Sequence, residues 1–574
     1  MALELTVACA PKHVGLQAAY QKQPVVNTLL PRAGFPSYYF QNSTGLATTV
    51  AFAATAAWCG ARLQRRRRDM RVLRLHRPRA VQRRATEDGS PEQVISGAFQ
   101  SIAIGLTSGL GVVLLFMVVM IGEKALVDNS NPTIVAASPI LGGALISAVY
   151  LILGGSQQLD GTALPSLKTL ATSNVILPNT ISVEERGKRA AARTALAAVT
   201  LGTGNTLGPE GPCVELAGNV AAYFGRFGEK PSKVSAAVLA SGCAAGVAAG
   251  FNAPLAGIVF AAEVVKPSEN DSINNVVNRL LAATTGATVV QILLGSTPPF
   301  TGIQFEDFRS SYFAFAEVPL FALLGAFCGV LTAIFDLVRK RSQEFWNEIP
   351  IPRPYHPLLA SVLLSAIVYF GNMPLLLYKG FDNINEVLRG AGELELSQLA
   401  MLLIAKIVVS GISVTSGLVG GVFAPALFIG ISGGAIYGQV LSMLEKVAGF
   451  KSVALPAVNY SAAGAAACLA SLCGVPVTAI VLLLEVSGGA NYSIVLPLIA
   501  CVGLSTFLNE YLLTYVLGAK DAAKGTIERV AMSPIEELFD SIDTNKDGVV
   551  SIEEFEAWYG GLDIPAKQSL QDRE

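Results

Sequence analysis

Eight stretches of this chain contain no Asp, Glu, Lys or Arg: 93–122, 129–159, 234–262, 280–305, 354–378, 407–444, 452–484 and 486–509. Each is at least 24 residues long, and about 20 apolar residues suffice for a helix to cross the hydrocarbon of a bilayer. Soluble helices carry charge on their outer face, so a water-exposed fold does not repeat such runs eight times. Composition agrees: 52% of the 574 residues are hydrophobic and 14% are charged, where an average soluble domain has about 25% charged residues. Disordered, collagenous, coiled-coil and disulfide-rich secreted architectures are excluded for the main body. The chain reads as an all-α polytopic membrane protein.

Enzyme chemistry finds no foothold. Cysteine occurs eight times without a CxxC pair, and His13, His76 and His356 are too dispersed to form a metal centre. No Ser/His/Asp set stands out, and GTGNTLG at 202–208 lacks the Lys-Ser/Thr ending of a phosphate-binding loop. The chain is read as a non-enzyme.

Three regions follow from composition. Residues 1–91 form an Arg-rich leader: up to residue 86 it has fourteen bases and only two acids, Glu4 and Asp69. That bias fits an organelle transit peptide or a disordered tail; a nucleic-acid arm is disfavoured because the rest is held in lipid. Residues 92–520 form the membrane body, and 521–574 a C-terminal tail. The tail reads DTNKDGVVSIEE from Asp543. Asp543, Asn545, Asp547, Ser551 and Glu554 place side-chain oxygens at loop positions 1, 3, 5, 9 and 12. Gly548 permits the sharp turn, and the Val549 carbonyl adds a further ligand. This is the pattern of an EF-hand calcium loop, so Ca2+ is the expected metal. Apolar residues at helical spacing flank it on both sides. One hand is present, and its partner could be the same hand in a second subunit.

The membrane body repeats itself. SGCAAGVAAGFNAPLAGIVFAAEV (241–264) lies over AGAAACLASLCGVPVTAIVLLLEV (463–486) at a constant offset of 222, which aligns Pro254 with Pro476 and Glu263 with Glu485. Transporters built from repeats place their sites where broken helices meet near the midplane. Breaks are visible in LDGTALPSL (159–167), LGPEGPCVE (207–215) and GLVGGVFAPALF (417–428), where Gly and Pro precede a further apolar run. A helix beginning inside the membrane presents unpaired N–H groups and a partial positive charge. Several such ends aimed at one point hold an anion without a full cation.

These residues resemble the CLC family of chloride channels and chloride/proton exchangers. Its three anion-site signatures, GSGIP, G(K/R)EGP and GxFxP, are matched in order by Gly161-Thr162-Ala163-Leu164-Pro165, Gly208-Pro209-Glu210-Gly211-Pro212 and Gly421-Val422-Phe423-Ala424-Pro425. The resemblance covers roughly 92–517 and implies a CLC-type inverted repeat, a homodimer with one pore per subunit, and chloride as the transported ion. It makes Glu210 the gating glutamate between Gly208 and Gly211. It gives Thr162 a hydroxyl toward the anion and Val422 and Phe423 backbone N–H groups. It asks for a tyrosine hydroxyl near the end of the membrane body, for which Tyr515 is the choice and Tyr511 the alternative. Thr162 and Ala163 replace the usual Ser and Gly, and Pro209 replaces a basic residue.

Exchangers of the family carry a proton-relay glutamate where this chain has Val264. The leading expectation is therefore a passive chloride channel. A chloride/proton antiporter of the same fold is the alternative, and a membrane-anchored calcium sensor a second. Glu263 and Glu485 read as structural partners at helix ends. The family's paired CBS domains do not fit in the 57 residues after Leu517, so calcium is expected to take the regulatory place. A chloroplast membrane, thylakoid or envelope, fits the leader.

Overall fold

The computed structural model describes residues 91–152, 183–225, 236–265, 272–295, 311–448, 455–487 and 494–516. Most of the leader, the first signature with Thr162, and the calcium loop from Asp543 to Glu554 lie outside the described residues. Within them there are fifteen α-helices, and the only β pairings are two isolated bridges. Eight helices are long and apolar enough to cross a membrane. The protein is an integral, multi-pass membrane protein.

The eight spanning helices are not the eight uncharged stretches. Helix α8 (Ser311–Glu348) spans although it carries Glu317, Asp336 and Arg339. It tolerates the last two because Arg339 Nη2 lies 2.9 Å from Asp336 Oδ1, one turn away. Conversely, 234–262 folds into two short helices, α5 (Ala236–Phe251) and α6 (Pro254–Val265), and 452–484 into α13 (Ala457–Cys473) and α14 (Pro476–Val486). The breaks obey the offset of 222. The first helix of each pair ends on a left-handed residue, Asn252 at φ +54° and Gly474 at φ +66°. Pro254 and Pro476 then open the second helix, where a missing N–H costs nothing.

The repeat closes on itself through two carboxylates. Glu263, near the end of α6, accepts hydrogen bonds from Val477 N and Thr478 N, both at 2.8 Å, and from the Thr478 hydroxyl. Glu485, near the end of α14, accepts from Leu255 N at 3.0 Å and Ala256 N at 2.9 Å. Each half therefore caps the first turn of the other, which confirms the inverted repeat and accounts for both acids. A carboxylate at a helix start satisfies orphan donors and complements the helix dipole.

Between these pairs, α4 (Glu210–Phe224) packs on α5, and α12 (Phe423–Ala448) packs on α13. Gly434 of α12 lies so close to α13 that an added Cβ would be 2.6 Å from Ser461 Cα. Membrane helices gain contact by this use of small residues, because lipid offers no hydrophobic drive between them.

Candidate functional site

Two of the three signatures meet. Gly208 N donates to Gly421 O at 2.9 Å, and Gly421 N donates to Gly208 O at 2.7 Å. This two-bond clamp joins segments 213 positions apart and sets the start of α4 beside the start of α12. Only glycine permits the approach: a Cβ on Gly421 would lie 2.9 Å from Gly211 N, and one on Gly211 3.2 Å from Gly421 Cα.

Both helices start there without a carboxylate cap of the kind that closes α6 and α14. Pro209 precedes α4 and makes no side-chain cap, and the first helical bond is Cys213 N to Pro209 O at 2.9 Å. On α12 the first such bond is Ala426 N to Val422 O at 2.9 Å. The amides ahead of these first bonds lack intrahelical partners by geometry. Phe423 is buried and packs against Phe251 and Phe260, each with ring centroids 6.0 Å away, which fixes the first turn of α12.

Glu210 lies over this junction. It is 2% exposed, and among the described residues no side chain pairs with its carboxylate, which faces the backbone N–H groups of Glu210 and Ala424 without a well-formed hydrogen bond. A Cβ added to Gly208 would run into Glu210 Oε2 and would lie 3.1 Å from Ala424 N. The carboxylate and the α12 amides thus share one small space. A buried carboxylate without a side-chain partner is costly, and an ionisable group at membrane depth marks function.

The irregular segment before Gly208 is fully braced. Gly204, at φ +82°, accepts from Tyr378 N at 2.9 Å. Asn205 receives the Ser361 hydroxyl at 2.8 Å and donates to Pro139 O at 3.2 Å. Behind α4, Arg193 and Glu215 form a buried ion pair at 2.8 Å. Non-helical backbone at membrane depth survives only when its polar groups are paired in this way.

Of the residues expected at the site, the structure brings together Gly208, Glu210, Gly211, Val422 and Phe423. Tyr515 is not with them. It is 71% exposed, on the short π-helical turn Leu512–Val516, with its ring 5.3 Å from Tyr511, which is itself 45% exposed. Such a side chain cannot line a site whose other members are buried. Both tyrosines hold surface positions suited to the membrane–water interface.

Sequence reasoning missed another tyrosine. Tyr378 is 6% exposed and tied to Gly204 through its backbone. Burial pushes its phenol well above the ordinary pKa, and Glu123, Glu210 and Cys213 push the same way. The hydroxyl therefore stays protonated. An aromatic directly ahead of the Lys379-Gly380 turn, at the end of an uncharged stretch, was the available signal. Val264 is buried at 6% exposure and offers no proton carrier.

Comparison with known proteins agrees with this geometry. The family model described as voltage gated chloride channel matches residues 179–510. Chloride channel protein CLC-e from Arabidopsis thaliana is 37% identical over 337 residues, 55% of this chain and 46% of that protein. Chloride channel protein CLC-f from the same plant is also 37% identical, over 54% of this chain and 40% of that protein. The chain thus matches less than half the length of these two relatives. The H(+)/Cl(-) exchange transporter ClcA of Salmonella gallinarum is 28% identical over 58% of this chain and 69% of its own. Among solved structures, a slow cyanobacterial Cl-/H+ antiporter superposes with a TM-score of 0.62 at 19% identity, over 76% of this chain and 97% of that one.

Proposed function

The chain belongs to the voltage gated chloride channel (CLC) family, and from that premise we propose that it conducts chloride passively through a pore gated by Glu210. The observation that carries this reading is the junction of two helix starts at the Gly208–Gly421 clamp, with a buried carboxylate beside it that pairs with no side chain among the described residues. Partial positive charge from backbone amides stabilises a dehydrated anion weakly enough to release it. Glu210 competes for the same donors, so its departure opens the path. Thr162 would add a hydroxyl to this site.

Passive conduction is preferred over exchange because the buried Val264 cannot carry a proton and Glu263 is committed to the start of α14. The exchange transporter relatives are the reason to keep antiport as the second reading. Purified protein in chloride-loaded liposomes separates the two. Adding a potassium ionophore should release chloride, while a chloride gradient should not drive protons uphill. Sustained proton accumulation would overturn the channel reading.

The remaining expectations stand as parts of the same proposal. Asp543, Asn545, Asp547, Val549, Ser551 and Glu554 would hold Ca2+, and calcium bound there would regulate conduction. Two copies would form a homodimer with separate pores, in a chloroplast membrane.

A further inference from the structure

Among the described residues, two cations are buried within the membrane-spanning helices, Arg279 and Lys406, while Arg339, which is part-exposed, has a carboxylate partner, Asp336. Lys406, in the middle of α11 (Leu396–Thr415), has none: it is 5% exposed, and among the described residues no carboxylate lies within 4 Å of its ammonium. Nζ instead donates to Leu376 O at 3.1 Å and sits 4.7 Å from the centroid of the Phe428 ring. A carbonyl and an aromatic face orient an ammonium but do not neutralise it. Placing an uncompensated charge at membrane depth is expensive, and such charges mark ion pathways.

The groups that hold Lys406 sit on segments that lead into the Glu210 site. Leu376 lies two residues before Tyr378, whose N–H bonds Gly204. Phe428 is five residues along α12 from Phe423, about 7.5 Å at helical rise. One turn beyond Lys406, Ser410 meets Thr206, with its hydroxyl 3.4 Å from both the Thr206 hydroxyl and the Thr206 carbonyl. The loop 204–208 is therefore pinned to α11 at one turn's distance from the ammonium. Segments 203–214 and 416–428, which form the junction itself, contain no Lys or Arg.

Resting on the proposed chloride conduction, we propose that Lys406 is the fixed positive charge of the anion site, setting its affinity from behind the loop 204–208 and the first turns of α12. It touches neither the anion nor Glu210; it acts through its field, which a dry interior weakens far less than water would.

The test uses full-length protein in liposomes, with chloride flux measured against chloride concentration for the wild type, Lys406→Gln and Lys406→Arg. Gln keeps a donor for the Leu376 carbonyl and removes the charge; Arg keeps the charge. Half-maximal flux should require about tenfold more chloride in Lys406→Gln and stay within about twofold of wild type in Lys406→Arg. The same comparison in a Glu210→Ala background removes the competing carboxylate and should preserve the loss. Chloride-dependent thermal stabilisation in detergent gives a second reading for a variant that folds but does not reconstitute. If Lys406→Gln matches wild type in chloride dependence and differs only in melting temperature, Lys406 is a structural donor and the inference fails. A wild-type protein that moves no chloride would instead overturn the reading of the site.

Discussion

Removing the reciprocal caps provides a sharp test of the fold and of proton chemistry together. Glu263→Ala strips two backbone N–H groups and one hydroxyl of their acceptor, while Glu485→Ala strips two backbone N–H groups. Loss of an N-cap costs about 0.5–2 kcal/mol, and hydrogen bonds to a charged acceptor are worth about 1.5–3 kcal/mol each. Both carboxylates are half-buried, which places the expected losses in the lower part of that range. We expect about 2 kcal/mol for Glu485→Ala and about 3 kcal/mol for Glu263→Ala, the excess reflecting the Thr478 hydroxyl. Thermal unfolding of detergent-solubilised protein should show both variants melting lower, with Glu263→Ala the lower of the two. Chloride flux per folded molecule, and its lack of proton coupling, should be unaltered in Glu263→Gln. The reasoning fails if neither acid affects stability. It fails equally if Glu263→Gln abolishes a proton flux while leaving the melting temperature in place, for then the carboxylate relays protons and the cap is incidental.

Three further outcomes follow from the site. Glu210→Ala empties the space beside Gly208, so chloride flux in liposomes should rise and should lose the increase expected of the wild type as pH falls. Gly421→Ala puts a methyl group 2.9 Å from Gly211 N; the resulting overpacking costs about 1–3 kcal/mol, and chloride flux should drop sharply even in molecules that fold. Glu554→Gln removes the closing bidentate ligand of the calcium loop, so calorimetric titration should show much weaker calcium binding with the basal chloride flux intact.

Several features were legible because their signals are local. Uncharged length revealed the membrane, Gly and Pro marked the helix breaks, and a constant offset exposed the two halves. The position-by-position match of Asn252 with Gly474 follows from that offset. Glu210 was legible as an acid between glycines at a helix start. The spans themselves were less so: α8 carries paired charges that hide it, and two uncharged stretches each proved to be a pair of short helices. Tyr515 is indicated by its place near the end of the membrane body, yet exposure of the final turn puts it on the outside, while Tyr378 is buried and tied to Gly204.

Sequence alone determined the solvent of this fold, its repeat and the residue types able to hold an anion, because each is written within a window of a few helical turns. Tertiary structure decided which of those residues meet. The Glu263 caps reach 214 and 215 positions along the chain, and Ser410 meets Thr206 across 204. No periodicity encodes such distances. Burial fixed the rest: a lysine in an apolar run is ambiguous until packing shows a carbonyl and a ring as its partners, and an acid between glycines is ambiguous until packing shows it buried.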